Sequence, residues 1–270
     1  RNNKINSLVL NIAQFVLILP VCILLFFILG IDLSVLSIKQ FLIILLLSGL
    51  NMFLFTLMVK AIHVSGLGLT QPFLSFTPVF LLFTSYIILG EQIGIFGGAG
   101  VILVFLGLYL VNIHKFKEGI LEPFKKIYKE KGSLLMIVVA LGFSITANLF
   151  KIGSESLPRI HFVVLLFILE TFFGIIFGLI RFKFKLVKKF RFKKNFLSYF
   201  VMGVLFLLSE IFFALSIVET KVAYATSVKR TAVIFSVVFG YVFFNEKNFK
   251  ETITGSLIML AGVVIISLFG

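Results

Sequence analysis

Charge is scarce in this sequence, and acid scarcer than base: 13% of 270 residues are charged, with 11 Asp and Glu against 25 Lys and Arg. A soluble domain carries about 25% charged residues to keep its surface in water, so a water-covered globule is excluded. There is one cysteine, Cys22, which rules out an intramolecular disulfide or a multi-cysteine metal site; it lies within an apolar run, where packing is its expected role. Three scattered histidines leave no metal-binding pattern. No Gly-rich phosphate loop and no G-x-S-x-G turn occurs. The sequence therefore points to no cofactor, no metal and no enzymatic centre.

What is abundant is apolar surface: 60% of residues are hydrophobic and the mean hydropathy is +1.17. The formal net charge of +14 would suggest nucleic acid in a soluble protein. Here the Lys and Arg gather in short stretches between long apolar runs, as loops touching lipid headgroups do. The partner this implies is membrane lipid, with no nucleic acid.

A membrane-crossing helix needs about 20 mostly apolar residues, and the few charges divide the chain at that interval. Helices are expected at about 7–30, 41–62, 68–90, 94–113, 134–152, 160–180, 196–217, 222–244 and 252–269. The first run is too long for a signal peptide and has no small-residue cleavage site. Between the fourth and fifth spans, Lys115 to Gly132 alternates large apolar residues with Lys and Glu, the pattern of a short interfacial helix. Pro72 and Pro78 remove backbone donors within the third span and should kink it.

Internal repetition is the most informative feature. Glu91, Gly100 and Gly107 recur as Glu246, Gly255 and Gly262, each pair 155 positions apart. Ile87-Ile88-Leu89-Gly90-Glu91 faces Val242-Phe243-Phe244-Asn245-Glu246, and each Glu precedes a span carrying G-x-x-x-x-x-x-G. Shifting the second half back by 155 puts the span at 160–180 onto the first span, while 134–152 falls before residue 1. Because the chain starts at Arg1 rather than Met, the full protein is expected to hold ten spans in two units of five, with the opening helix missing here. The expected organisation is a first repeat over 1–114, an interfacial linker over 115–133 and a second repeat over 134–270. Duplicating a unit with an odd number of spans inverts it, so the fold class expected is an all-α integral membrane protein of two inverted five-helix repeats.

The pattern Ala61 … Pro72-x-x-x-x-x-Pro78 … Gly90-Glu91 … Gly100 … Gly107, repeated as Ala214 … Ala223 … Lys229-Arg230-Thr231 … Phe244-Asn245-Glu246 … Gly255 … Gly262, resembles the drug/metabolite transporter superfamily. Within it the resemblance is to the EamA-type ten-helix carriers. Ser227-Val228-Lys229-Arg230-Thr231 is also similar to the ninth-helix Lys-Arg pair of plastid sugar-phosphate translocators, where the pair contacts the substrate phosphate. The resemblance implies a central solute cavity between the halves and a secondary transporter working by alternating access. The first half has Leu74-Ser75 where the second has Lys229-Arg230, so an anion site would be one-sided.

Four ionisable residues fall well inside the expected spans: Glu170, Glu210, Lys229 and Arg230. Each costs roughly 2.5–3.5 kcal/mol at a helix centre, so such groups face a cavity or one another. Counted from one membrane face at about 1.5 Å per residue, the four share a layer near mid-depth. One reading is a salt-bridge cluster tying helices together. The functional reading is that Lys229 and Arg230 bind an anionic group, Arg through two parallel hydrogen bonds, while a glutamate balances them or takes a proton. Asn51, Gln71, Asn148 and Tyr224, with Ser75 and Ser227, either line the cavity or bond a neighbouring helix. Glu91 and Glu246, at helix ends, are expected to cap or hold turns, and His63 to be solvated.

Assigning loops to alternate faces puts nineteen of the 25 basic residues on one side, including those of 115–131 and 181–194, and four on the other. The positive-inside rule makes the first side cytoplasmic and leaves the end of the last helix outside. That departs from the resembling family, where both ends of ten helices are cytoplasmic. The sequence reading is a small, anionic metabolite carried across the cell membrane by a multi-pass protein, with a homo-oligomer possible. Its alternatives are an amino-acid or drug exporter, a lipid-phosphate flippase and a membrane-embedded receptor subunit.

Overall fold

The structure, a computed structural model, describes residues 7–90, 95–111, 130–182, 192–219, 232–245 and 249–269, with positions 222, 225, 226 and 229 between 219 and 232. The helices are α1 (Ser7–Ile28), α2 (Ile38–Ser65), α3 (Leu67–Thr70), α4 (Phe76–Leu89), α5 (Ile95–Val111), α6 (Lys131–Ser154), α7 (Arg159–Phe182), α8 (Phe192–Glu219), α9 (Ala232–Phe244) and α10 (Phe249–Phe269), with 3-10 turns at Leu33–Val35 and Gln71–Ser75. No strand occurs among the described residues. Six stretches among them are long and apolar enough to cross a membrane: Ile38–Ser65, Gln71–Leu89, Lys131–Ser154, Arg159–Leu179, Phe196–Ile217 and Phe249–Ile266. The protein is an all-α integral membrane protein. Large apolar side chains left exposed, such as Phe27, Leu197, Phe235 and Phe243, meet lipid tails at no cost in such a protein. Of the expected interfacial helix at 115–132, residues 115–129 lie outside the described residues, as do Glu91 and Glu246, and Lys131 and Gly132 open α6.

The third expected span is broken rather than merely kinked. One α turn gives way at Gln71 to a 3-10 turn with Pro72 near its start, and α4 begins at Phe76 with Pro78 in its first turn. Proline supplies no amide proton, so the regular ladder cannot pass through. Gly90 ends α4 in the left-handed region at φ 72°, its N–H returning to the carbonyls of Ser85 and Tyr86. A residue with a Cβ is strained in that conformation, and glycine is not.

The chain divides into two compact units, Arg1–Thr56 with Leu149–Glu219, and Leu57–Asn148 with Thr220–Gly270. Each takes segments from both the earlier and the later part of the chain. In the first unit α1 packs on α7 and α8, and α7 on α8. Phe162, Val163, Val164, Leu165, Leu166 and Phe167 are all buried. Six consecutive residues cover every face of a helix with 3.6 residues per turn, so α7 is enclosed on all sides there. Gly203 of α8 lets the helix approach α1, since a Cβ at that position would stand 2.8 Å from the Gln14 carbonyl oxygen.

The second unit is built on α5 and α10. A Cβ on Gly100 would lie 2.6 Å from the Gly262 carbonyl oxygen, and one on Gly107 would lie 2.5 Å from that of Gly255. Gly100 meets the later glycine of α10 and Gly107 the earlier one, so the helices run antiparallel. The glycine pairs that recur 155 positions apart thus exchange partners, as a two-fold axis through this seam would make them do. Around it, Phe73, Leu74 and Phe76 from the broken span join Val104, Met136, Val139, Met259 and Val263 in one buried core.

Candidate functional site

The first unit holds Asn51, Glu170 and Glu210. Glu170 is 1% exposed and Glu210 7%, in helices whose neighbouring positions are almost all apolar. Asn51 Nδ2 donates to Glu170 Oε1 at 2.9 Å across α2 and α7. At the next position in α7, Thr171 Oγ1 donates to the Phe167 carbonyl of its own helix at 2.8 Å. Cys22 of α1 is buried in the same unit.

The 155-position shift relates this polar group to an aromatic one. Asn51 maps onto Phe206, Glu170 onto Phe15 and Glu210 onto Phe55. Those three phenylalanines form a closed cluster in the first unit, with centroid separations of 5.8 Å for Phe15–Phe206, 6.2 Å for Phe15–Phe55 and 5.1 Å for Phe55–Phe206. Two of the three contacts are edge-to-face, the arrangement aromatic quadrupoles favour. The Asn51–Glu170 hydrogen bond is the counterpart of the Phe206–Phe15 ring contact. The sequence carried this relation, but 36 phenylalanines in the chain gave no reason to single out these three.

The second unit holds Gln71, Asn148 and Lys229. Asn148 is engaged: Ser85 Oγ donates to its Oδ1 at 2.8 Å, and its Nδ2 donates to Thr84 Oγ1 at 3.1 Å and to the Ser144 carbonyl at 2.9 Å. The two bonds to Ser85 and Thr84 tie α4 to α6, so of its two expected roles Asn148 fills the one that joins helices. Asn148→Ala is expected to lower the stability of the detergent-solubilised protein by about 1–2 kcal/mol, given roughly 0.6–1.7 kcal/mol for an interhelical hydrogen bond in a membrane protein. Thermal unfolding followed by circular dichroism reads this, and an unchanged melting temperature would show that the bonds contribute nothing.

Gln71 opens the 3-10 turn and is half-buried, as is Lys229. Ser75, closing that turn, is buried. The hydroxyls of Thr77 and Thr226 are buried without a hydrogen-bond partner, and sequence reasoning passed over both. Thr226 precedes Lys229 by three positions, which puts the two on one face of a helix, and it is the repeat counterpart of Gln71. A buried hydroxyl with no protein partner is a group open to water or a ligand. Tyr224, Ser227 and Arg230 lie outside the described residues. His63 is exposed in the last turn of α2. No group of three or more possible metal ligands is present among the described residues.

The candidate residues therefore separate into an acid–amide group in one unit and a hydroxyl–ammonium group in the other. Both sit in apolar helices, which is how carriers bury polar contacts for a solute. The EamA-like transporter family matches the chain over residues 1–113 and 130–268. The chain belongs to that family and is a membrane transporter of small molecules. No curated protein matches it.

Proposed function

We propose that the protein is a secondary transporter of a small, anionic metabolite at the cell membrane, with Lys229 and Arg230 binding the anionic group. Within the family the cargo varies, and the residues of this chain narrow it. The observation that carries the reading is the buried, unpartnered Thr226 hydroxyl one helical turn before Lys229. A hydroxyl and an ammonium on one face, followed by a guanidinium, suit phosphate or carboxylate oxygens, which accept several charge-assisted hydrogen bonds at once. Gln71, at the matching repeat position, and Tyr224 complete the polar set.

Two inverted five-helix repeats, 1–114 and 134–270 about the 115–133 linker, would exchange conformations to expose the solute to either side. The crosswise meeting of the paired glycines of α5 and α10 supports that relation. The sequence contains no ATP-binding motif, so an ion gradient or solute exchange is the expected drive.

A thermal-shift screen of purified protein against phosphorylated metabolites, carboxylates, amino acids and cationic drugs tests the substrate class. An anion that binds is expected to raise the melting temperature by mass action. Stabilisation by cationic drugs alone, with none by any anion, would overturn the anionic reading in favour of drug export.

A further inference from the structure

We propose that Glu170, held by Asn51, is a proton-exchanging carboxyl that binds and releases a proton as the carrier cycles. The inference rests on the carrier reading for its purpose, and its evidence comes from the first unit alone.

Packing does not require an acid at this position. The repeat shift maps Glu170, Asn51 and Glu210 onto Phe15, Phe206 and Phe55, and the aromatic counterparts fill their place with rings in mutual contact at 5.1–6.2 Å. The same architectural position is thus satisfied by hydrocarbon in one copy. In the other it holds a carboxyl that is 1% exposed and bonded at 2.9 Å to a neutral amide. A scaffold that accepts phenylalanine has no structural need of glutamate. What a carboxyl adds is a charge that a proton can cancel.

The groups on the neighbouring helices fit that use. From α2 comes Asn51, an amide that donates to Glu170 in either protonation state; Lys39 is in the first turn of that helix, about 18 Å away along the axis at 1.5 Å per residue. From α1 comes Cys22, close enough to feel the charge of Glu170. From α8 comes Glu210, the counterpart of Phe55, buried in the same unit. Tyr199 of α8 is eleven residues earlier in that helix, and Lys151 is in the last turn of α6. An amide and a thiol are thus placed with Glu170, and a second carboxyl is buried in the same unit.

The test uses the full chain in phosphatidylcholine vesicles and dicyclohexylcarbodiimide, which reacts with protonated carboxyl groups in apolar surroundings. The adduct is mapped by mass spectrometry across a pH series. The expected result is an adduct on Glu170 that is lost as pH rises, persists there in Glu210→Gln, and shows a displaced pH midpoint in Asn51→Ala. No adduct on Glu170 at any pH, one unaffected by pH, or one confined to Glu210 would overturn the proposal. The wild type alone decides the main point, so a variant that fails to fold does not block it. No solute is needed either: an anion that binds while Glu170 stays unlabelled leaves the carrier reading standing, and a pH-dependent adduct without any bound anion does the reverse.

Discussion

Gly107→Ala is expected to cost the protein about 1–3 kcal/mol or more and much of its folded yield, while Gly98→Ala, nine residues earlier in α5, costs nothing. The added Cβ at 107 would stand 2.5 Å from the Gly255 carbonyl oxygen and 2.6 Å from the Met259 amide nitrogen. These are backbone atoms in the middle of a helix, with no rotamer to change. The seam between α5 and α10 must open, and overpacking that forces backbone shifts typically costs about 1–3 kcal/mol. Opening it also removes the close backbone approach that holds membrane helices together, where burial from water contributes little. At Gly98, in the first turn of α5, a Cβ meets nothing within 4 Å, and replacing a helical glycine by alanine is favourable by up to about 0.5–1 kcal/mol. Gly262→Ala should behave like Gly107→Ala, because its Cβ meets the Gly100 carbonyl oxygen at 2.6 Å and the Val104 nitrogen at 2.8 Å. Melting temperatures and size-exclusion profiles in detergent compare the three. Equal behaviour of Gly98→Ala and Gly107→Ala would contradict the seam.

Lys229→Gln and Arg230→Gln are each expected to lower affinity for an anionic solute about ten- to hundredfold with the folded yield kept. A hydrogen bond to a charged group contributes roughly 1.5–3 kcal/mol, and about 1.4 kcal/mol is a factor of ten in affinity. Glutamine keeps a polar head of similar length and drops the charge, so the change tests charge rather than volume. The repeat offers an internal control. Position 74, the counterpart of Lys229, is a leucine buried in the core of the second unit, so the helix pair tolerates an apolar residue at that place. Lys229→Leu should therefore also fold. A variant that loses stability along with binding would point instead to a structural role for the pair.

Much of the fold was legible because charge marks where chain leaves lipid. The expected span at 160–180 became Arg159–Phe182, that at 196–217 became Phe192–Glu219, and that at 252–269 became Phe249–Phe269. The extra residues are mostly polar or basic ends, which hydropathy discounts but the backbone ladder includes. The third span was legible as irregular from its prolines, not as a 3-10 turn between two helices.

The site was less legible. Counting residues from a membrane face gives depth along an axis and nothing about direction around it. Glu170, Glu210, Lys229 and Arg230 could therefore be assigned one layer without showing that a partner of Glu170 is the amide of Asn51. Sequence left Asn148 open between lining a cavity and bonding a neighbouring helix, and it ties helices because Thr84 and Ser85 face it. Thr77 and Thr226 attract no notice in sequence, since threonine in a membrane helix usually bonds its own backbone. That these two do not is visible only in three dimensions.

Solute counterflow in vesicles tests the central claim most directly. Protein is reconstituted into vesicles loaded with an unlabelled anion from the stabilising set, and uptake of the same labelled solute is followed with no other energy source. The account predicts a transient accumulation of label above its outside concentration, as outward movement of unlabelled solute returns binding sites that capture label. The accumulation should be absent in protein-free vesicles and strongly reduced in the Lys229→Gln/Arg230→Gln variant. Folded wild-type protein that shows no counterflow with any phosphorylated, carboxylated, amino-acid or drug-like solute would contradict it.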